Sequence, residues 1–221
     1  MKLLAIDTAT EACSAAVLYG DEIISRYQLA PRQHAELILP MVDDLLAEAG
    51  MKLKDMDALA FGRGPGAFTG VRIATGVIQG LAFGVDLPVI PVSTLAALAQ
   101  GMSSDHQYTI SVIDARMHEI YWCAYQVDDA GLVSPLVDET ISSAEALTLP
   151  DNNSYFGIGS GWRSYHSILE DKFRNNLTGF DGERYPHARD IIPLARREFE
   201  SGRTVAAENV LPVYLRNKVT G

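Results

Sequence analysis

The sequence predicts an α/β protein of two similar lobes, and three observations point there. Strand-like runs precede helix-like ones in the first hundred or so residues, the same order recurs in the second, and an aspartate closes the first strand of each half. The length, 221 residues, suits one large domain or two lobes of about 100 residues each.

Residues 2–7, 12–19 and 22–28 read as an antiparallel meander, with turn chemistry at 8–11 and at Gly20 and Asp21. Residues 34–49 place Leu37 and Ile38, Met41 and Val42, and Leu45 and Leu46 at four-residue steps, the helical period, with Gly50 as a stop. Pro40 lies inside that helix without an N–H, which predicts a kink. A strand over 58–62, a loop at Gly64, Pro65 and Gly66, and a helix capped by Thr69 and running to about Gly84 follow. A strand over 89–92 and a helix over 93–100 complete the first half.

In the second half, 108–114 and 119–127 read as strands, 142–147 as a short helix and 155–158 as another strand. Ile6-Asp7 is echoed by Ile113-Asp114, and Phe61-Gly62 by Phe156-Gly157. The pattern predicts a duplicated ribonuclease-H-like unit: lobes over 1–101 and 102–221, each a mixed five-stranded sheet flanked by helices, facing across a cleft. A helix over 190–202 precedes an irregular tail containing Pro212.

Eighteen Lys and Arg against 28 Asp and Glu give a charge of -10, which opposes autonomous binding to a phosphate backbone. The basic residues Arg196, Arg197, Arg203, Arg216 and Lys218 are interspersed with Glu198, Glu200 and Glu208 and read as solvated surface. Cys13 and Cys123 lack metal or redox spacing and read as small core residues in a reducing compartment. Apolar stretches are interrupted, for example by Arg72, Gln79 and Asp86, so no membrane span is expected and the cytoplasm is the expected location.

The densest motif runs from Gly62 through Arg63, Gly64, Pro65, Gly66, Ala67, Phe68, Thr69 and Gly70 to Val71 and Arg72. It is a strand-to-helix turn of the kind that binds anions, but it carries no Gly-Lys-Ser/Thr and no Gly-x-Gly-x-x-Gly. Tight packing is therefore the favoured reading. Gly76, Gly80 and Gly84 then recur every four residues, each at a cost of about 0.8 to 1 kcal/mol relative to Ala. With Ile73 and Val77 they form a flat face, and Leu37, Met41 and Leu45 belong to a broad apolar band on the preceding helix. Internal burial and partner docking both remain open at this point.

Asp7 and Asp114 at strand ends would project into a cleft as carboxylates do in metal-assisted phosphoryl transfer, or would organise their turns. Asp7, Thr8, Gly159 and Ser160 are the candidate nucleotide-binding residues of that cleft. Ser160 lacks the Gly-x-Ser-x-Gly elbow, and His34, His106, His118, His166 and His187 form no metal motif.

The opening Leu4-Ala5-Ile6-Asp7-Thr8-Ala9-Thr10 and the block from Gly62 to Ile73 closely resemble the TsaB (YeaZ) family of bacterial tRNA modification, over nearly the whole chain. The resemblance implies an actin-like, Hsp70-like (ASKHA) fold and a place beside the catalytic paralogue TsaD and the ATPase TsaE. That machinery transfers threonylcarbamoyl from its adenylate to N6 of the adenosine beside the anticodon. TsaD-type relatives hold their metal with Val-Asn-His-x-x-x-His, whereas this chain reads Val92-Ser93-Thr94-Leu95-Ala96-Ala97-Leu98.

The resemblance thus implies an accessory subunit with no metal, no cofactor and no catalytic residue of its own. It implies a homodimer when alone, a heterodimer with TsaD, and contact with tRNA only through the complex. It also assigns docking to the two helices carrying Leu37, Met41, Leu45, Ile73, Gly76, Val77, Gly80 and Gly84. A nucleotide-binding or hydrolysing enzyme is the alternative, and an endopeptidase ranks last.

Overall fold

The computed structural model describes residues 1–216; Lys218 lies outside them. The chain forms two compact units, one of Met1–Ala97 with Pro186–Val213, the other of Leu98–Tyr185 with the segment beginning at Tyr214. The expected split at 101/102 is corrected on both counts, because the division falls four residues earlier and a C-terminal helix returns to the first unit.

In the first unit, β1 (Lys2–Asp7), β2 (Ala12–Tyr19), β3 (Glu22–Leu29), β4 (Ala58–Gly62) and β5 (Val89–Val92) form a sheet of order β3-β2-β1-β4-β5. The first three strands are antiparallel, and β4 and β5 continue parallel from β1. Alternation sends Leu4, Ile6, Cys13, Ala15, Val17, Leu59 and Phe61 into a core with α1 (His34–Glu48) and α2 (Phe68–Val85). The alternate residues Leu3, Ala5, Ala16 and Ala60 are also fully buried, and α5 (Ala188–Glu200) lies against β1, β2, β4 and β5. Small alanines on that face let the helix approach closely. Its start is tied down by the Ala188 N–H, which donates to the Ser14 hydroxyl at 2.9 Å.

Several local expectations change. α1 runs through Pro40 as one helix; Pro40 is on the exposed side, where water can satisfy the Glu36 carbonyl that loses its partner. Thr69 does not cap α2. The helix begins at Phe68, with Ala67 as its N-cap, held by an N–H bond to the Ala9 carbonyl at 2.7 Å. α3 (Thr94–Gln100) starts one residue late, with the Ser93 hydroxyl accepting the Ala96 N–H. α2 is also long and apolar enough to cross a membrane by length and composition, contrary to the sequence expectation. Its Val71, Ala74, Ile78 and Ala82 face is buried in the first unit's core.

The second unit repeats the plan with one more strand than expected. β6 (Tyr108–Arg116), β7 (Glu119–Val127), β8 (Val133–Pro135), β9 (Thr140–Ser142), β10 (Tyr155–Ile158) and β11 (Leu177–Asp181) form a mixed sheet of order β11-β10-β6-β7-β8, with β9 also on β7. The expected helix over 142–147 is a 3₁₀ turn, Ala144–Ala146, placed where the first unit has its long α1. α4 (Ser160–Phe173) buries Trp162, Leu169 and Phe173 against this sheet. The sequence echo is shifted by two residues. Ile6 pairs with Phe61 and Ser111 with Ile158, so Gly62 stands opposite Asp7 as Gly159 stands opposite Val112.

A β-carbon on Gly76, Gly80 or Gly84 would meet no atom within 4 Å. Replacing Gly76 or Gly80 by Ala should therefore raise the unfolding free energy of the dilute chain by up to about 1 kcal/mol each, measured by urea denaturation.

Candidate functional site

The glycine-rich segment after β4 folds back over the turn that follows β1. The Thr8 hydroxyl donates to the Gly70 carbonyl at 2.8 Å, and the Ala67 N–H donates to the Ala9 carbonyl. A β-carbon on Gly66 would fall onto the Ala9 carbonyl, and one on Gly70 onto the Thr8 carbonyl. Gly64 has φ of +98°, and its N–H donates to the Thr94 hydroxyl at 3.2 Å while the Thr94 N–H returns to the Gly64 carbonyl at 3.0 Å. These glycines let backbone meet backbone, so the packing reading of the motif holds.

Beneath this clamp lies Asp7, fully buried. Its Oδ1 accepts the Ala9 N–H at 3.0 Å, which is the turn-organising role, while its Oδ2 has no hydrogen-bond partner. Gly62 is needed here because a β-carbon would strike that carboxyl group. Burial raises the Asp7 pKa to about 7, opposed by the Ala9 N–H. The neighbouring Cys13 thiol is pushed up to about 11 by burial and by Asp7, and the buried Cys123 thiol to about 12 by burial foremost, so both stay protonated at neutral pH.

Asp114 occupies a different setting. Its Oδ1 accepts the Arg116 N–H at 2.8 Å, its Oδ2 accepts the Ser164 hydroxyl at 3.2 Å, and its own N–H donates to the Ser160 hydroxyl at 3.2 Å. Ser160 thus stitches the α4 start to β6, and Gly159, at φ of +105°, has no room for a β-carbon against the Val112 carbonyl. All four candidate cleft residues, Asp7, Thr8, Gly159 and Ser160, are buried and engaged in local structure.

The helical face divides. Leu45 is fully buried and Met41 nearly so, because this part of the α1 band packs into the first unit's core; these two are core, contrary to the docking assignment. Leu37, Ile73 and Val77 are half-buried at the core edge. Gly76, Gly80 and Gly84 form an exposed stripe beside Ile73 and Val77. Among the described residues nothing buries the stripe.

The basic residues near the C-terminus are engaged too. Arg196 pairs with Glu200, Arg203 with Glu198, and Arg216 with Glu119. Among the described residues no group of three or more His, Cys, Asp and Glu could hold a metal ion.

Residues 21–214 match the family described as TsaD, tRNA N6-adenosine threonylcarbamoyltransferase. The tRNA threonylcarbamoyladenosine biosynthesis protein TsaB of Escherichia coli is 43% identical over 225 residues, which cover 99% of this chain and 96% of that protein. Its Bacillus subtilis counterpart is 30% identical, with 98% and 94% covered. The chain belongs to the TsaB family. A solved structure of YeaZ from Pseudomonas aeruginosa agrees, at a TM-score of 0.91 and 46% identity over 97% of this chain and 99% of that one. The two-unit fold is accordingly the ASKHA-like one, and the TsaB-family role is in tRNA threonylcarbamoyladenosine synthesis.

The metal of TsaD-type relatives does not fit the residues present. Thr94 and Leu98 stand where paired imidazoles would be required; both are buried, and the Thr94 hydroxyl already accepts the Gly64 N–H.

Two outcomes follow from the clamp. Gly70→Ala should lower stability by at least about 2 kcal/mol, since backbone confronts the new methyl group and cannot move aside. For Asp7, the native state holds a proton that the unfolded chain releases near pH 4. Its contribution is therefore full below that pH and is lost, by up to about 1.4 kcal/mol per pH unit, as pH rises through about 7. Asp7→Asn keeps an acceptor for the Ala9 N–H and should remove that slope from thermal unfolding measured between pH 4 and 8.

Proposed function

We propose that this chain is a non-catalytic partner of a TsaD-type subunit, supporting threonylcarbamoyl transfer to tRNA in the cytoplasm and touching tRNA only through the assembled complex. The exposed glycine stripe of α2 carries the reading. Gly76, Gly80 and Gly84 expose helix backbone that none of the described residues covers, which suits a second helix lying close across it. The charge of -10 and the engagement of Arg196, Arg203 and Arg216 by carboxylates favour protein over nucleic acid as the direct partner.

Catalysis by this chain has little support, since Thr94 and Leu98 replace the metal-binding pair and Asp7 is sealed from solvent. The same burial of Asp7 and Thr8 weighs against the nucleotide-binding alternative, and no nucleophile-base pair supports peptide cleavage. In this reading the chain pairs with itself through the stripe when alone, exchanges that contact for the TsaD-type subunit, and works alongside a TsaE ATPase.

Light scattering after size-exclusion chromatography tests this directly. The wild-type chain should run as a homodimer and, mixed with the TsaD-type protein of the same organism, as a heterodimer. Gly80→Arg should abolish both, with an unchanged circular dichroism spectrum. A wild-type monomer indifferent to that protein, or a variant that still pairs, would overturn the proposal.

A further inference from the structure

Where the glycine stripe ends, the C-terminal turn of α2 borders a groove of about 570 Å³. Ala82, Phe83, Asp86 and Leu87 form one side, and the segment from Thr204 to Glu208 forms the other. Both walls are fixed. Val205 exchanges backbone hydrogen bonds with Val89 at 2.8 and 2.9 Å, and the Gln79 amide donates to the Ala207 carbonyl at 3.0 Å. Ala82 and Ala207 also belong to the core beneath.

The rim has a definite chemistry. Phe83 leaves 76% of its surface exposed. Asp86 and Glu208 present exposed carboxylates, and neither makes a side-chain hydrogen bond or ion pair among the described residues. No basic residue stands in the last turn of α2, so the partial negative charge of its terminal carbonyls is uncompensated.

Asp86 ends the helix at φ of +55°, a conformation that aspartate tolerates, but it places a negative charge at the negative end of the helix, where no basic residue stands in the last turn. Here a cation would relieve the conflict.

We propose that this groove receives an arginine side chain from a protein partner, its guanidinium lying on the Phe83 ring and held by the Asp86 and Glu208 carboxylates. Arginine suits the site better than lysine, because its planar fork both stacks on an aromatic face and donates to carboxylates in parallel. A nucleic acid is disfavoured, since both carboxylates would repel its phosphates. The site rests on the groove's own chemistry and does not require the stripe to be the TsaD-type contact.

The test uses the isotope-labelled full chain, titrated with acetyl-Ala-Leu-Arg-Ala-amide and with the same peptide carrying Glu in place of Arg. The Arg peptide should shift the amide resonances of Phe83, Asp86, Val205 and Glu208 saturably, and the Glu peptide should not. Asp86→Asn with Glu208→Gln should weaken binding about tenfold or more, as should raised salt on the wild type. Asn tolerates the backbone at position 86, and an unchanged thermal midpoint would show that the variant is folded. No shift at millimolar Arg peptide, equal shifts with the Glu peptide, or unaltered affinity in the folded variant would each overturn the proposal.

Discussion

The first unit depends on one close approach: the carbonyls of Thr8 and Ala9 resting on Gly70 and Gly66. This contact fixes where α2 begins, since the Ala67 N–H is bound to Ala9 before the first helical residue. It also seals Asp7, whose unpartnered Oδ2 lies in space that exists because Gly62 has no side chain. A loop that binds phosphate must keep its N–H groups free, and here those of Gly64 and Ala67 already have protein acceptors. The same glycine density that invites a nucleotide reading therefore describes a joint between two backbone turns.

Much of the fold is legible in the sequence where apolar periodicity is strong. β1, β2, β4, β5, α1, α2 and α5 follow it closely, because each buries a face in the core, and the edge strand β3 follows through its pairing with β2. The second unit is harder to read. β8 and β9 have three residues each, too few to establish a period of two, and β11 is interrupted by Gly179 at φ of +149° and by a register shift in its pairing. α4 begins with Ser160 and Gly161 and has a polar outer side, so its helical character comes from Trp162, Leu169 and Phe173 packing on the sheet. The aspartate echo misled because Asp7 ends β1 whereas β6 runs two residues past Asp114 to Arg116, and the strand registers align Asp7 with Val112.

The candidate site was legible in composition but not in disposition. Glycines have opposite meanings here: Gly66 and Gly70 are crowded by backbone, whereas Gly76, Gly80 and Gly84 face open space. Sequence spacing cannot separate these cases, because both satisfy the rule that glycine marks close approach. The width of the α1 band likewise suggested a surplus for docking. The core consumes most of it, with Ile38, Met41, Val42, Leu45 and Leu46 all buried, while Leu37 stays half-buried and Leu39 exposed.

That burial leaves α2 as the helix that presents the exposed glycine stripe. Fold alone carries no activity, and the positions that would hold a metal are here Thr94, spent on the Gly64 N–H, and the buried Leu98. The residues instead converge on the presentation of α2. Its first turn is locked by the glycine clamp, and its buried face is anchored by Val71, Ala74, Ile78 and Ala82. Its outer stripe forgoes about 0.8 to 1 kcal/mol at each of Gly76, Gly80 and Gly84 with no packing among the described residues to offset it. A helix held firmly on one side and smooth on the other has the shape the proposed partnership requires, and in that reading the glycine cost is offset when the stripe is covered.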